Sequence, residues 1–361
     1  MEDLSYYAYD NFTELLDFNA SEDECHRGAE LPFSHVYLPV LYFLIFFTGV
    51  SGNVFVIAVM RAKGAGRRLV DTFVLNLAAA DLAFVFTLPL WAVSAGLEHR
   101  WDFGDALCKL SGYVVAVNRS SNVFFLACMS ADRYLAVARP LARRAGRGGR
   151  GARLACAAVW ASALLLGLPS LVFRRVSPPD EGGLCTEDAE SAAFVGLSLA
   201  SLVLAFLLPL AVVLFCYGCV LLRLRGRPAV APGNAPAEAR RRSLRIVLAV
   251  VAAFAVSCLP FNVFRGVLVG APALGWEFSC EARAFLARAL VLSACLAFFD
   301  SCVNPLIYLL LDRHFRQRAR WLCLRGLYGG EQPPPATASS RNTDGHGAST
   351  RTQVHSFNLA N

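Results

Sequence analysis

Long apolar segments alternate with short polar or basic segments along most of this chain. A helix needs about 20 predominantly apolar residues to cross a bilayer, and seven segments reach this length. The approximate limits of the predicted spans are Tyr37–Met60, Val70–Ala95, Cys108–Ala138, Leu154–Val172, Ala193–Leu222, Leu244–Leu268 and Ala284–Leu311. The pattern therefore predicts an all-α membrane protein built as a seven-transmembrane helix bundle.

The segments outside the transmembrane domain, which we place at residues 35–312, predict three further regions. Basic and apolar residues alternate at helical spacing over residues 313–324, which predicts a short amphipathic eighth helix on the inner membrane surface. An acidic tail covers residues 1–34, and a tail rich in Pro, Ser and Thr covers residues 325–361. Both tails are expected to be disordered because they contain few apolar residues. The acidic start also lacks the apolar core of a cleaved signal peptide.

The basic residues predict the orientation of the bundle. Arginines are concentrated in the first, third and fifth gaps and after the last span, whereas the other gaps contain few. Because basic loops stay in the cytoplasm, the N-terminus is predicted outside and the C-terminus inside. The chain is 56% hydrophobic and 17% charged with a net charge of +7. We interpret these arginines as topology signals, so nucleic acid is not an expected partner.

Several residues of the outer side carry recognisable chemistry. By this topology Cys25, Cys108, Cys185 and Cys280 face an oxidising compartment, where an even number of cysteines predicts disulfides. The spacing alone allows three pairings. The segments that begin at Asn11 and Asn19 fit the N-glycosylation pattern on the outer tail.

Two sets of ionisable residues lie at membrane depth. Asp132 and Arg133, followed by Tyr134, close the third span, and Asp81 stands alone within the second span. Charges at such depth are costly and usually mark function. The alternative for Arg133 is a side chain that extends to the membrane surface. Asp81 has to be paired, protonated or bound to a cation.

Together these motifs resemble the class A, rhodopsin-like G-protein-coupled receptors over about residues 35–325. The matching positions occur in the order of that family: Gly52-Asn53, Leu75 to Leu82 with Asp81, Asp132-Arg133-Tyr134, Trp160, Pro209, Tyr217, Pro260, and Asn304-Pro305 with Tyr308. The outer face resembles the chemokine and peptide receptor branch. Its marks are Thr87-Leu88-Pro89 with Trp91, the loop from Trp101 to Gly104, and the additional cysteines Cys25 and Cys280.

The resemblance implies a receptor in the plasma membrane for an extracellular peptide or chemokine-like ligand. In this family Asp132 restrains Arg133 at rest, and the sixth span swings outward on activation. Arg133 then faces a heterotrimeric G protein near Tyr217 and Tyr308, and Asn304 and Pro305 belong to the same switch. Gi/o proteins are expected, and phosphorylated Ser and Thr residues of the C-terminal tail would recruit arrestin.

The resemblance also implies disulfides, an ion and modifications. The expected bridges are Cys108–Cys185 and Cys25–Cys280. No cofactor is expected except an allosteric sodium ion on Asp81, with Asn118, Asn122 and Asn304 around it; a hydrated polar network without sodium is the alternative. Tyr6, Tyr7 and Tyr9 resemble sulfated tyrosines or are plain solvated ones. Cys323 is expected either to carry a palmitoyl chain that contacts membrane lipid or to be a buried cysteine at the membrane surface.

The predicted ligand cavity differs from that of the resembled branch. Arg119, Arg265 and Arg288 are placed around it with Trp91, which favours an anionic ligand group. The acidic tail favours a basic ligand body. The glutamate common in the seventh span is absent from the stretch Leu292–Cys295. We therefore predict a ligand with a basic body and an inserted anionic end.

The sixth span contains the largest departure from the family, because Cys258 stands where a tryptophan is usual. We predict that Arg119 and Asp300 pair across the space that an indole would fill. Alternatively, Asp300 shares the cation network of Asp81. Phe254 remains as an aromatic packing residue one turn further in.

Two other classes of protein compete with a signalling receptor. A transporter or channel would also bury charges in a bundle, but it should show inverted repeats or broken half-helices. A non-signalling, chemokine-scavenging receptor would be expected to have an altered Asp132-Arg133-Tyr134 motif. The chain shows neither feature, and it contains no nucleophile–base pair at useful spacing, so catalysis is not expected.

Overall fold

A computed structural model describes residues 31–62, 69–138, 149–178, 183–187, 191–225 and 235–327. Within these residues, seven helical segments are long and apolar enough to cross a membrane, which confirms the predicted seven-span bundle. The helices are α1 Ser34–Arg61, α2 Leu69–Val85, α3 Leu88–Gly96, α4 Gly104–Ala138, α5 Gly149–Phe173, α6 Ala192–Leu202, α7 Leu208–Arg225, α8 Ala235–Ala273, α9 Cys280–Leu311 and α10 Arg313–Leu327.

Two spans are interrupted where the sequence predicted continuous helices. The second span consists of α2 and α3, because Pro89 lies in the first turn of α3 and lacks a backbone N–H group. Thr87 stabilises the junction by donating its hydroxyl to the Phe84 carbonyl at 2.7 Å. The fifth span consists of α6 and α7, joined by a π-helical turn over Val203–Leu207 just before Pro209. Such turns are local changes in helix pitch, which apolar length alone does not reveal.

Polar contacts inside the bundle connect neighbouring spans. Asn53 of α1 donates to the Ser301 carbonyl of α9 at 3.0 Å. Trp160 of α5 donates its indole N–H to the Asn76 side chain of α2 at 3.0 Å. Large apolar side chains on the outer circumference are exposed, as a lipid-facing surface requires; examples are Phe47, Leu165 and Phe215.

A short β-hairpin lies between the fourth and fifth spans, where the sequence predicted no strand. Strand β1 (Arg174–Val176) pairs antiparallel with β2 (Cys185–Glu187). The Cys108–Cys185 disulfide attaches β2 to the outer end of α4, which confirms that predicted bridge. The buried Trp101 packs against Trp91, with ring centroids 4.9 Å apart.

The eighth helix, α10, begins at Arg313 as predicted and ends at Leu327, three residues beyond the predicted limit. Phe315 is buried beside the rings of Phe55 and Tyr308. Arg318 lies 3.5 Å from the Asp71 carboxylate of α2. The chain divides into two units, Met1–Leu322 and Cys323–Asn361. In the second unit the structure describes residues 323–327, where Cys323 is exposed.

Several predictions concern residues outside the described ranges. These are the glycosylation sites at Asn11 and Asn19, the tyrosines Tyr6, Tyr7 and Tyr9, and the phosphorylated tail beyond residue 327. Cys280 is disulfide-bonded, but its predicted partner Cys25 also lies outside those ranges.

Candidate functional site

At the inner end of α4, Asp132 and Arg133 form an ion pair with an N–O distance of 3.0 Å. The Asp132 side chain is 2% exposed and that of Arg133 is 14% exposed, so the pair is largely desolvated. Tyr134 packs beside Phe215 of α7 at a centroid distance of 6.2 Å. A desolvated pair of this kind can be exchanged for other contacts when neighbouring helices move, which is the requirement for a two-state element.

The two tyrosines predicted to meet Arg133 on activation are both buried, Tyr217 on α7 and Tyr308 on α9. Among the described residues, the Tyr308 hydroxyl has no hydrogen-bond partner. A buried, unpaired hydroxyl is costly. A rearrangement that supplied a partner for this hydroxyl would therefore be favoured.

Asp81 is fully buried in the middle of the bundle and accepts hydrogen bonds from polar side chains of two other helices, α4 and α9. Its Oδ1 accepts from Asn118 at 3.0 Å, from Asn122 at 2.9 Å and from Ser301 at 3.1 Å. Its Oδ2 accepts from Asn304 at 3.4 Å. The structure thus places all three predicted neighbours on Asp81 and adds Ser301, which the sequence analysis had not included.

The donor set around Asp81 fits a hard cation. The Oδ1 atom of Asn122 is buried and finds no hydrogen-bond partner within the part of the chain that is described. Together with the Asp81 carboxylate and the Ser301 hydroxyl, it offers the oxygen ligands that such ions prefer. The described residues contain no group of three or more His, Cys, Asp or Glu side chains suited to a metal ion. These oxygen atoms fit the sodium ion that the family resemblance led us to expect.

An outer cavity of about 160 Å³ lies between the spans and the hairpin. Its lining includes the predicted residues Trp91, Arg119 and Arg265, and it also includes Arg174, Glu187 and His99. Glu187 is buried and joins two arginines. Its Oε1 lies 3.0 Å from Arg174, and its Oε2 lies 3.1 Å from Arg265 of α8.

The electrostatics of Glu187 follow from this position. Burial alone would raise the pKa of Glu187, but the guanidinium groups of Arg265 and Arg174 hold it below its ordinary value. Glu187 is therefore an anion at neutral pH. Among the described lining residues, three arginines face this one glutamate, so the cavity is positively charged.

Comparison with known proteins assigns the chain to a family. Residues 52–308 match the family model described as 7 transmembrane receptor (rhodopsin family). The chain is 44% identical to "Probable G-protein coupled receptor 25" of Mus musculus, over 87% of this chain and 85% of that protein. It is 37% identical to "G-protein coupled receptor 15" of Mus musculus, over 82% and 81%, and 37% identical to "Apelin receptor A" of Danio rerio, over 95% and 98%.

The chain belongs to the rhodopsin family of seven-transmembrane receptors. It is therefore a multi-pass plasma-membrane protein that couples to G proteins, and it is a receptor and not an enzyme. This membership also excludes the transporter alternative.

Two predictions about the positions of arginine side chains in the receptor are wrong. Arg288 is exposed on α9 and does not contribute to the lining of the outer cavity. Arg119 and Asp300 are both described, but no ion pair joins them. Asp300 accepts a hydrogen bond from the Ser257 hydroxyl at 3.1 Å, and the Arg119 guanidinium lies over the Phe261 ring, 5.5 Å from its centroid. A hydroxyl one residue from Cys258 thus satisfies Asp300 without Arg119.

The receptor has a second cavity, of about 50 Å³, at the place where the family usually has a tryptophan. Arg119, Cys258, Phe261 and Asp300 line it, together with Phe254. Arg119 lines both cavities, so its guanidinium lies where the outer cavity meets this deeper space. The small Cys258 side chain explains why the space is open.

Glu187 and Arg174 were missed because both lie between the predicted fourth and fifth spans, where the sequence predicted no helix or strand. One signal was available for Glu187, which stands two residues after Cys185. Alternate residues of a strand lie on the same face, and the Cys185 disulfide already directs that face toward α4. The strand itself is only three residues long and has no clear sequence pattern.

Proposed function

We propose that this receptor responds to an extracellular peptide or chemokine-like ligand and activates a heterotrimeric G protein, preferably of the Gi/o class. The observation that supports this proposal best is the outer cavity with three arginines and one glutamate, beneath a hairpin fixed by a disulfide. Similarity to proteins named as apelin receptors agrees with a peptide ligand.

The ligand should carry two kinds of charge. Residues 1–34 contain nine acidic side chains and Arg27, and such a tail increases the encounter rate with a basic partner. The cavity has the opposite charge and favours an anionic group such as a terminal carboxylate. We therefore propose a peptide with a basic body whose anionic end inserts between the spans and contacts Arg119 and Arg265.

On the inner side, the Asp132–Arg133 pair is proposed as the output switch, with Tyr134, Tyr217, Asn304, Pro305 and Tyr308 as its further parts. Asp81, Asn118, Asn122 and Asn304 would hold sodium, whose charge stabilises the carboxylate in the resting arrangement. Arrestin would bind the phosphorylated C-terminal tail, and a palmitoyl chain on Cys323 would anchor the end of α10 in membrane lipid.

The remaining alternative is a receptor that scavenges its ligand without signalling. The intact Asp132–Arg133 pair, desolvated at 3.0 Å, favours signalling. Ligand-dependent GTPγS binding to membranes that contain the receptor separates the two functions. Ligand uptake without any GTPγS response would replace the signalling function with scavenging.

Alanine substitutions test the cavity once an active peptide is in hand. Arg119→Ala and Arg265→Ala should each reduce potency at least tenfold, because each removes a partner of the anionic group. The matched control is Arg175→Ala, since Arg175 is the exposed neighbour of Arg174 on β1. Arg288→Ala should resemble the control. Unchanged dose–response curves for Arg119→Ala and Arg265→Ala would contradict the proposed ligand site.

A further inference from the structure

The two arginines that hold Glu187 are fixed to very different degrees. Arg174 is 6% exposed, and its guanidinium lies 5.4 Å from the Trp91 ring centroid and 3.7 Å from the Cys185 sulfur. A β-carbon at Gly112 would overlap the guanidinium of Arg174, so the glycine makes room for it. Several independent contacts thus hold Arg174 against β2 and α4.

Arg265 is held by much less. Its side chain is 20% exposed, and within the described residues its hydrogen-bond and ion-pair partner is the Oε2 atom of Glu187. Arg119, which lines the same cavity, has the Phe261 ring as its neighbour and no carboxylate within ion-pair distance in the described ranges. Positive charge therefore exceeds negative charge on the side of the cavity that Arg119 and Arg265 form.

Glu187 uses different oxygens for its two partners. Because Oε1 contacts Arg174 and Oε2 contacts Arg265, the second contact can be lost while the first remains. This matters energetically, since a buried carboxylate left without any partner would be strongly destabilising. The arrangement allows Arg265 to change partner without leaving Glu187 unpaired.

We propose that Glu187 is a resident counter-ion that a ligand carboxylate displaces from Arg265, so that the ligand bridges Arg265 and Arg119 while Glu187 stays on Arg174. This exchange rests on the anion-recognising cavity of the proposed function. Glu187 is then a specificity-determining residue, because a ligand that ends in a neutral amide has no charge with which to replace the Glu187 carboxylate on Arg265. It also changes a contact between the hairpin and α8, the helix of the sixth span.

The exchange predicts effects of opposite sign for two neighbouring substitutions. Glu187→Gln keeps the shape of the side chain but removes the competing charge, so a carboxylate should bind about tenfold more tightly. Arg174→Gln leaves Arg265 as the remaining ion-pair partner of Glu187, so a carboxylate should bind about tenfold more weakly. A purely structural role of the three residues predicts weaker binding for both variants.

The experiment uses the purified full-length receptor in detergent, with N-acetyl-phenylalanine as the carboxylate probe and N-acetyl-phenylalaninamide as its neutral counterpart. Affinity is obtained from the concentration dependence of the melting temperature. The acid should stabilise the wild-type receptor and the amide should not. Asp102→Asn is the matched control, because it removes the exposed Arg100–Asp102 pair from the same side of the receptor without touching the cavity.

The outcomes distinguish the exchange from the cavity itself. Tighter acid binding by Glu187→Gln together with weaker binding by Arg174→Gln supports the exchange. Unchanged or weaker acid binding by Glu187→Gln overturns the exchange. If Arg119→Ala nevertheless abolishes acid binding, the result still supports the arginine-lined cavity as the site of the anion. Equal effects of acid and amide on the wild-type receptor would overturn both proposals.

If Glu187→Gln does not fold, a double variant still tests the exchange. The double substitution Glu187→Gln/Arg174→Gln removes both charges of the Glu187–Arg174 pair, so neither residue is left as an unpaired charge. It should bind the acid at least tenfold more tightly than Arg174→Gln alone. Equal affinities of the double and single variants would overturn the exchange.

Discussion

At the scale of single residues, the receptor buries charged and polar groups whose partners come from other elements. Glu187 joins a hairpin to α8 through Arg174 and Arg265, and Asp81 of α2 accepts from polar side chains of α4 and α9. A buried ionisable group is tolerated when such partners are present. Removing a partner from either carboxylate is therefore expected to be costly.

His99 gives the receptor a predicted pH dependence of stability. Burial, with the nearby His35 as a smaller cause, lowers the pKa of His99 to about 4 from its ordinary value near 6.5. The unfolded chain therefore binds a proton at a higher pH than the folded receptor does, so stability is full above about pH 6.5 and declines toward pH 4. Roughly 2 kcal/mol should be lost between pH 7 and pH 5.

Thermal unfolding of the purified receptor at a series of pH values measures this dependence. His99→Asn is the suitable variant, because His99 has a φ of 76° and asparagine tolerates that region of backbone conformation. The variant should lose much of the decline between pH 7 and pH 5. A decline as steep as that of the wild-type receptor would show that other groups cause it.

The Asp81 cluster predicts a specific response to sodium. Replacing choline chloride by sodium chloride at constant ionic strength should raise the melting temperature by about 2–4 °C, because an ion that binds the folded state stabilises it. Asp81→Asn should abolish this increment. The control is Asp71→Asn, which removes another buried acid of α2 that pairs with Arg318. Its sodium increment should persist, and loss of the increment in both variants would contradict a site at Asp81.

At the scale of secondary-structure elements, close approaches between helices determine which substitutions the bundle tolerates. A β-carbon added at Gly49 of α1 would lie 2.7 Å from Cγ1 of Val85 at the end of α2. Valine in a helix has essentially one side-chain conformation, so it cannot move aside easily. At Gly218 of α7, by contrast, a β-carbon meets nothing within 4 Å.

Alanine at these two glycines should therefore act in opposite directions. Gly49→Ala is expected to destabilise the receptor by about 1–3 kcal/mol through overpacking. Gly218→Ala should be neutral or stabilise it by up to about 1 kcal/mol, because alanine is the better helix former. Melting temperatures of the two purified variants test this, and equal stabilities would mean that α1 and α2 separate easily.

The sequence predicted the spans well and the helix faces less well. Apolar length alone was sufficient for the seven spans, because the bilayer imposes a minimum length. Arg288 was placed wrongly because the sequence does not specify the rotation of α9, which leaves Arg288 exposed and outside the lining of the cavity. The Arg119–Asp300 pair was wrong because Ser257 competes for Asp300. The resemblance placed Asn118, Asn122 and Asn304 correctly around Asp81, whereas Glu187 depended on a hairpin too short to recognise.

At the scale of the whole molecule, α8 links the outer cavity to the inner half of the bundle. Arg265 on this helix contacts Glu187 at the outer side, Ser257 contacts Asp300 of α9, and Phe254 packs beside Phe206 at 6.3 Å. A change in the partner of Arg265 therefore acts on the helix that also packs against the inner core. This continuity is the physical basis for coupling a ligand to the Asp132–Arg133 pair.

The central claim is that an anionic ligand end in the arginine-lined cavity activates a G protein. The most direct test is a G-protein dissociation screen of cells expressing the receptor, with chemokines and basic secreted peptides, each with and without its C-terminal residues. We predict an active peptide that loses its effect when these residues are removed, and that loses potency in Arg119→Ala and Arg265→Ala cells but not in Arg175→Ala cells. A peptide that activates the receptor equally well after truncation, and equally well in all three variants, would contradict the account.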